Sequence, residues 1–207
     1  MSEIKIYKEL EQRSQEWYDI RRERVTSSKA SVLMAARGLG KTAQTYAMEL
    51  AADLIMEMHD DGGMVNFAMQ HGIDTEPIAR EAYEEKTFSQ VEEIGFITKG
   101  TGQGTSPDGV FGADGMIEIK CPQPGNHIKY LMADDCPAEY YDQVQHQMYV
   151  AGRKWCDFVT FNDFFIEEYQ MKITRVYPDL KWVEKYEQRF AEFMALVNEY
   201  KLKLKIK

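Results

Sequence analysis

Gly112-Ala113-Asp114-Gly115 is a run of turn formers between two short stretches of strand character, Asp108 to Phe111 and Met116 to Cys121. A hairpin centred near residue 113 brings Asp108 roughly opposite Glu118 on the neighbouring strand. Side chains alternate along a strand, so Glu118 and Lys120 share one face while Ile117 and Ile119 point the other way. Two carboxylates and an ammonium then converge on one spot, which makes a divalent-cation site with a built-in positive charge. Carboxylates that hold Mg²⁺ or Mn²⁺ activate water and neutralise charge building on a phosphate. A lysine beside them orients or deprotonates the nucleophile. Taken alone, the pattern equally suits a surface hairpin whose Glu and Lys face water.

The chain of 207 residues is most economically one domain, 1–207, with ample length to bury a core. Its 44% hydrophobic and 29% charged content is that of a globular protein. No apolar run approaches the roughly 20 residues of a membrane span, and the charged start MSEIKIYKELEQ is unlike a signal peptide. Cys121, Cys136 and Cys156 lack C-x-x-C spacing and point to a reducing compartment such as the cytoplasm. The net charge of -9 argues against a phosphate-binding surface unless basic residues are gathered locally.

Helices are expected over Ser27 to Arg37, capped by Thr26 or Ser27 with Ala30, Leu33 and Met34 on one face, and from Thr42 to about His59. The latter carries Ala43, Ala47, Leu50, Ala51, Leu54 and Met58 at a 3.6-residue period. Asp74 to Lys86 reads as a helix with Ile78, Ala79, Ala82 and Tyr83 inward, and Ala138 to Gly152 as one with Tyr141, Val144, Met148 and Ala151 inward. Val91 to Thr98, Trp155 to Phe161 and Phe165 to Val176 read as further strands, and Asp179 to about Tyr200 as a last helix. The fold class is α/β: one mixed sheet flanked by helices.

Around the hairpin, Ser106-Pro107-Asp108-Gly109, Glu118-Ile119-Lys120-Cys121-Pro122 and Gln143-Val144-Gln145-x-x-Met148 closely resemble the core motifs of a nuclease family. This is the phage lambda-type exonuclease, or YqaJ-like viral recombinase, family of the PD-(D/E)xK superfamily. Upstream, Trp17-Tyr18-x-x-Arg21 with Val25-Thr26-Ser27-Ser28, and His71-Gly72-x-x-x-Glu76, are similar to its N-terminal and helix-start segments. The resemblance runs over about residues 15 to 162 with the motif order kept. It implies a restriction-endonuclease-like core over about 70–176, with an N-terminal helical segment that binds the DNA end and a C-terminal helix. It also implies two Mg²⁺ or Mn²⁺ ions per site, held by Asp108, Glu118, the Ile119 carbonyl and Glu76 (directly or through water), with Lys120 acting on the attacking water. Arg21, Ser28, Ser106 and Gln143 would receive the 5′-phosphate of a recessed DNA end, a guanidinium fork with hydroxyls and an amide. The implied activity is 5′→3′ resection of duplex DNA to leave 3′ overhangs for recombination. The implied assembly is a ring-shaped homotrimer with a single-strand annealing protein as partner.

Read from the residues alone, alternatives stay open at each position. Glu76 sits among Asp74, Glu81, Glu84 and Glu85, and Arg21 beside Arg22 and Arg24, as in any solvated cluster. Gln143 suits an exposed helix position, Ser28 a helix start, and Ser106 the turn before Pro107. Arg37-Gly38-Leu39-Gly40-Lys41-Thr42 looks like a phosphate loop but has Ala35 where that motif needs Gly. Arg37 and Lys41 are better read as a flexible basic loop and Met69 as a core residue; the resemblance implies that the loop reaches into DNA and that Met69 is an apolar wedge between terminal base pairs. His59, His71, His127 and His146 form no H-x-x-H pair, so no zinc is expected. The lysine-alternating tail, Lys201 to Lys207, suits a solvated end or a protected edge strand. Two other functions fit the same residues: an endonuclease or junction resolvase with the same metal core, and a catalytically silent DNA-binding module.

Overall fold

The computed structural model describes residues 2–56 and 67–205, the side chains of 67–69 excepted. Its strands are β1 (Ile4–Tyr7), β2 (Val25–Thr26), β3 (Phe96–Lys99), β4 (Gln103–Thr105), β5 (Gly109–Phe111), β6 (Gly115–Lys120), β7 (Trp155–Phe161) and β8 (Met171–Val176). The helices are α1 (Gln15–Arg21), α2 (Ala30–Met34), α3 (Lys41–Ala52), α4 (Phe67–Thr87), α5 (Pro124–Met132), α6 (Ala138–Ala151), α7 (Glu167–Gln170) and α8 (Leu180–Lys203). Among the described residues no helix is long and apolar enough to cross a membrane.

The α/β class expected from sequence is borne out, with one difference. The strands form two four-stranded mixed sheets, ordered β1-β3-β4-β2 and β5-β6-β7-β8, rather than one. Pro107 explains the break. It has no N–H to donate to a ladder, so β4 stops at Thr105 and the chain passes to the second sheet. In that sheet β6 and β7 run parallel, and their crossover carries α5 and α6. One face of β6 and β7 buries Met116 and Phe158 against Val144 and Met148 of α6. The opposite face buries Ile117, Ile119 and Val159 against Ala79 and Tyr83 of α4. A third cluster joins Leu33, Ala47 and Leu50 to Tyr186, Phe193 and Val197 of α8. Each of the larger of these side chains contributes roughly 1.5–3 kcal/mol when taken fully out of water.

Several boundaries differ from expectation for local reasons. The helix expected over Ser27 to Arg37 is a 3-10 turn, Ser27–Lys29, followed by α2, and it stops at Met34. Gly38, at φ +85°, turns the chain beneath Arg189, where a Cβ would lie 2.7 Å from Nη1. α3 is capped by Gly40, so Thr42 lies inside the helix, and the helix ends at Ala52. Leu54 falls in the following turn, while Met58 and His59 lie outside the described residues. Ile78 is 48% exposed, because Thr75, Ala79 and Tyr83 take the buried face of α4. The strand expected from Phe165 begins only at Met171, since Asn162 Oδ1 accepts from the Phe164 N–H (3.0 Å) and turns the chain into α7. The tail through Lys203 is helical, with Lys201 Nζ 2.9 Å from Glu23, and forms no edge strand. α5 and β1 were not anticipated. Pro124-Gly125-Asn126 has the look of a turn, but a proline at the first helical position is compatible with a helix.

A buried polar chain ties the first sheet to α6 and α8. Ser27 Oγ donates to Thr105 Oγ1 (2.8 Å) and lies 2.8 Å from His146 Nδ1; His146 Nε2 lies 2.7 Å from the Tyr186 hydroxyl. Burial, with the Lys99 charge behind it, pushes His146 down to about 3. The unfolded histidine takes a proton near 6.5 and the folded one does not, so stability is complete above that value. It should fall by a few kcal/mol (order of magnitude) as the pH drops from 6.5 toward 3. Urea unfolding across this range should show that slope flattened in His146→Gln. Equal slopes in both proteins contradict the assignment.

Candidate active site

The hairpin register sets the site. Gly109 pairs with Ile117 and Val110 with Met116, so Asp108, one residue before β5, falls opposite Glu118. Asp108 Oδ2 accepts the Ile119 N–H at 2.6 Å. Glu118 is buried on the α6 side of the sheet. Its Oε1 accepts from Gln143 Nε2 (2.5 Å) and from Lys120 Nζ, and its Oε2 from Gln147 Nε2 (2.6 Å). Lys120 also lies over the Tyr140 ring, 5.3 Å from its centroid. Glu76 approaches from α4, where Arg80 Nη2 donates to its Oε1 at 2.8 Å and Arg80 Nη1 reaches Glu93 at 2.9 Å.

These groups sense one another. Burial, then the charges of Glu118 and Glu76, pushes the Asp108 carboxyl well above the usual carboxylate range, against Lys120 and the Ile119 N–H. Burial also raises Glu76, opposed by Arg80 and assisted by Glu118. For Lys120, burial pulls downward, but Glu118 and Asp108 outweigh it and hold the group up as an ammonium. Burial and the Glu76 charge raise the Cys121 thiol to about 12, which leaves it without a thiolate's reactivity near neutral pH.

A cleft of about 510 Å³ is lined by Arg13, Ile73, Glu76, Lys120, Tyr140 and Gln143, among others. A second, of about 360 Å³, shares Arg13, Ile73 and Glu76 and reaches Asp108. Glu76 thus stands between Lys120 on one side and Asp108 on the other. Among the described residues, no three His, Cys, Asp or Glu side chains are gathered tightly enough to hold an ion by themselves. Glu118 instead engages two glutamines and a lysine. The donor set nevertheless fits a hard divalent cation: all are oxygens, and the mutual repulsion that raises Asp108 is what such a charge relieves.

The other candidate residues fall into separate groups. Arg21 closes α1 with its guanidinium 3.9 Å from the Trp17 ring centroid. Trp17 Nε1 donates to Ser106 Oγ (2.9 Å), which donates to the Gly95 carbonyl (3.0 Å). Arg21 and Ser106 are therefore linked through one indole, whereas Gln143 is bonded to Glu118. Ser28 is exposed on the 3-10 turn, and Arg37 and Lys41 are exposed around the start of α3. Met69 belongs to α4, but its side chain lies outside the described residues.

Sequence reading missed three residues. Gln147 lies one turn beyond Gln143 on α6, a spacing that places both amides on one face, so its signal was present. Arg13 has a left-handed backbone (φ 71°) and lines both clefts, and nothing in its sequence context marks it. Tyr140, beneath Lys120, reads like any helix aromatic.

Two mixed sheets flanked by helices, with a hairpin acid facing a buried Glu-x-Lys, match a nuclease fold. The model of the YqaJ-like viral recombinase domain matches residues 16–154, and the chain belongs to that family. Among solved structures it is similar to an alkaline exonuclease from Laribacter hongkongensis. Identity is 33%, the TM-score is 0.84, and the match covers 93% of this chain and 96% of the other. The same enzyme in complex with dAMP matches at 34% identity and a TM-score of 0.81, over 92% and 98% of the two chains. A phage-related exonuclease from Haemophilus somnus 129PT, 13% identical, shares the fold at a TM-score of 0.70, over 90% of this chain and 99% of that one. No curated protein matches the chain in sequence. Family and likeness together support a nuclease that works in recombination.

Proposed function

We propose that this protein is a divalent-metal-dependent exodeoxyribonuclease that degrades the 5′-phosphorylated strand of duplex DNA from its end, 5′→3′, leaving a 3′ overhang for phage-type recombination. The observation that carries the reading is the buried Glu118, bonded to Lys120 and opposite Asp108, in a chain of this family. The Laribacter enzyme's complex with dAMP supports it, since a nucleoside monophosphate is the unit that stepwise hydrolysis releases.

Asp108, Glu118, the Ile119 carbonyl and Glu76 would hold Mg²⁺ or Mn²⁺, two ions when the site is full. Bound there, the metal supplies Lewis acidity and a more acidic water. The protein's own part is positional. Gln143 and Gln147 fix both oxygens of Glu118, and Lys120 presents an ammonium to the attacking water and to charge growing on the phosphate. Arg21, Ser28, Ser106 and Gln143 would hold the terminal 5′-phosphate, with Trp17 orienting the first and third of them. Gln147→Leu should slow cleavage about 10- to 100-fold by loosening Glu118, as loss of a ligand's supporting hydrogen bond does elsewhere. An unchanged rate on duplex ends contradicts that role.

The whole chain, 1–207, acts as a single nuclease domain, its N-terminal helical segment meeting the DNA end. The packing of α8 on α2 and α3 supports this unity. A homotrimeric ring with a basic lumen reconciles a net charge of -9 with DNA binding, and Arg37, Lys41 and Met69 would contact the duplex. A single-strand annealing protein would take the product strand, in the cytoplasm of a bacterial or infected cell.

The test digests linear duplex and a covalently closed circle side by side, with Mg²⁺ and with EDTA. Linear DNA should disappear only with Mg²⁺ while the circle persists. Rapid loss of the circle supports an endonuclease instead.

A further inference from the structure

We propose that the ring of Phe164, backed by His71, is a stacking shelf for an unpaired nucleobase at the lip of the active-site cleft, a role that rests on the nuclease reading above. Phe164 is 73% exposed. It nevertheless stacks, offset, on the His71 ring, with centroids 5.4 Å apart and planes 13° from parallel. The imidazole overlaps the phenyl only in part and leaves most of its surface open to solvent.

The loop holds this ring out. Asn162, fully buried, donates Nδ2 to the Pro122 carbonyl (2.9 Å) while its Oδ1 accepts the Phe164 N–H (3.0 Å). Gln170 Nε2 donates to the Phe165 carbonyl (2.9 Å), and Phe165 packs edge-on against His127, 4.8 Å between centroids. His127 is anchored in turn on Thr160 Oγ1 (3.0 Å) and the Tyr169 carbonyl (2.8 Å). A side chain fixed before its ligand arrives loses little entropy on binding.

Position identifies the occupant. His71 adjoins Gly72 and Ile73, and Asn162 grips Pro122; Gly72, Ile73 and Pro122 line the cleft that holds Lys120. A strand held by its phosphate at Lys120 leaves the cleft beside the shelf. A flat apolar face accepts any base by its π-surface, whatever the sequence, which suits an enzyme that works along a strand. The neighbouring Asp163 carboxylate repels phosphate and leaves the base as the part of a nucleotide that fits.

The experiment measures binding of the full chain by fluorescence anisotropy, with Ca²⁺ replacing Mg²⁺ and strand integrity checked on a gel. The probes are duplexes with a short unpaired 5′ tail, either of normal nucleotides or of abasic ones. The wild-type protein should bind the normal tail about 5- to 100-fold more tightly than the abasic tail. Phe164→Ala should lose most of that preference, and Phe164→Trp should keep it. A preference absent in the wild-type protein, or undiminished in Phe164→Ala, overturns the shelf while leaving the nuclease reading intact. Absence of all DNA binding overturns both. A fall in sedimentation mass in Phe164→Ala, with the base preference unchanged, would instead assign the ring to contact between copies of this chain.

Discussion

Asp108→Asn should reduce strand cleavage by about a thousandfold or more and, in metal-free buffer, make the protein more stable. The first effect follows from removing a charged oxygen at the point where metal and phosphate charge would meet. The second follows from the raised Asp108 carboxyl. A carboxyl with an elevated folded value binds its proton more readily folded than unfolded. Metal-free stability therefore falls as pH rises from the ordinary carboxylate range through that elevated value, and the full penalty remains above it. Asparagine carries no charge and keeps an oxygen for the Ile119 N–H. Thermal melts at pH 8 in EDTA should show Asp108→Asn higher by a few degrees, about 1 kcal/mol. Mg²⁺ should raise the melting temperature of the wild-type protein and leave the variant's unchanged. A lower melting temperature in EDTA, or an undiminished Mg²⁺ response, contradicts the account.

Arg21→Ala should slow digestion of 5′-phosphorylated ends by about 10- to 100-fold and leave 5′-hydroxyl ends little affected, the range expected for one charged hydrogen-bonding group. Arg21→Lys should restore only part of the rate. A lysine keeps the charge, but it has neither the planar fork that matches phosphate oxygens nor the flat surface that lies on Trp17 at 3.9 Å. Parallel kinetics on the two end types give the answer. Equal loss on both would show that Arg21 supports the fold through Trp17 and Ser106 rather than reading the phosphate.

The hairpin was legible because everything that specifies it is local. Turn formers at 112–115 fix the register, and strand alternation then puts Glu118 and Lys120 on one face. α6 was legible for similar reasons, its observed span Ala138–Ala151 ending one residue short of the expected Gly152, which instead caps it in the left-handed conformation. Features decided by distant contacts were not. The split into two sheets depends on how Pro107 releases β4, and the inward face of α4 depends on which residues the second sheet contacts. At the site, Asp108, Glu118 and Lys120 were read from spacing, whereas Glu76 stood out from its acidic neighbours only through the resemblance. The support of Glu118 by Gln147 becomes visible only when α6 packs across β6, and Arg13 enters the cleft only through the fold of the N-terminal segment. The linkage of Arg21 to Ser106 through Trp17 spans 89 residues between Trp17 and Ser106 and has no local trace.

Cutting is proposed to start at a 5′-phosphorylated end and move inward. The most direct measurement follows label release from two otherwise identical duplexes, one labelled in the 5′-terminal nucleotide and one in the 3′-terminal nucleotide of the same strand, with Mg²⁺. The 5′ label should appear at once as a mononucleotide, with the 3′ label retained until that strand is nearly consumed. Early release of the 3′ label, or label appearing first in internal fragments, would contradict the account.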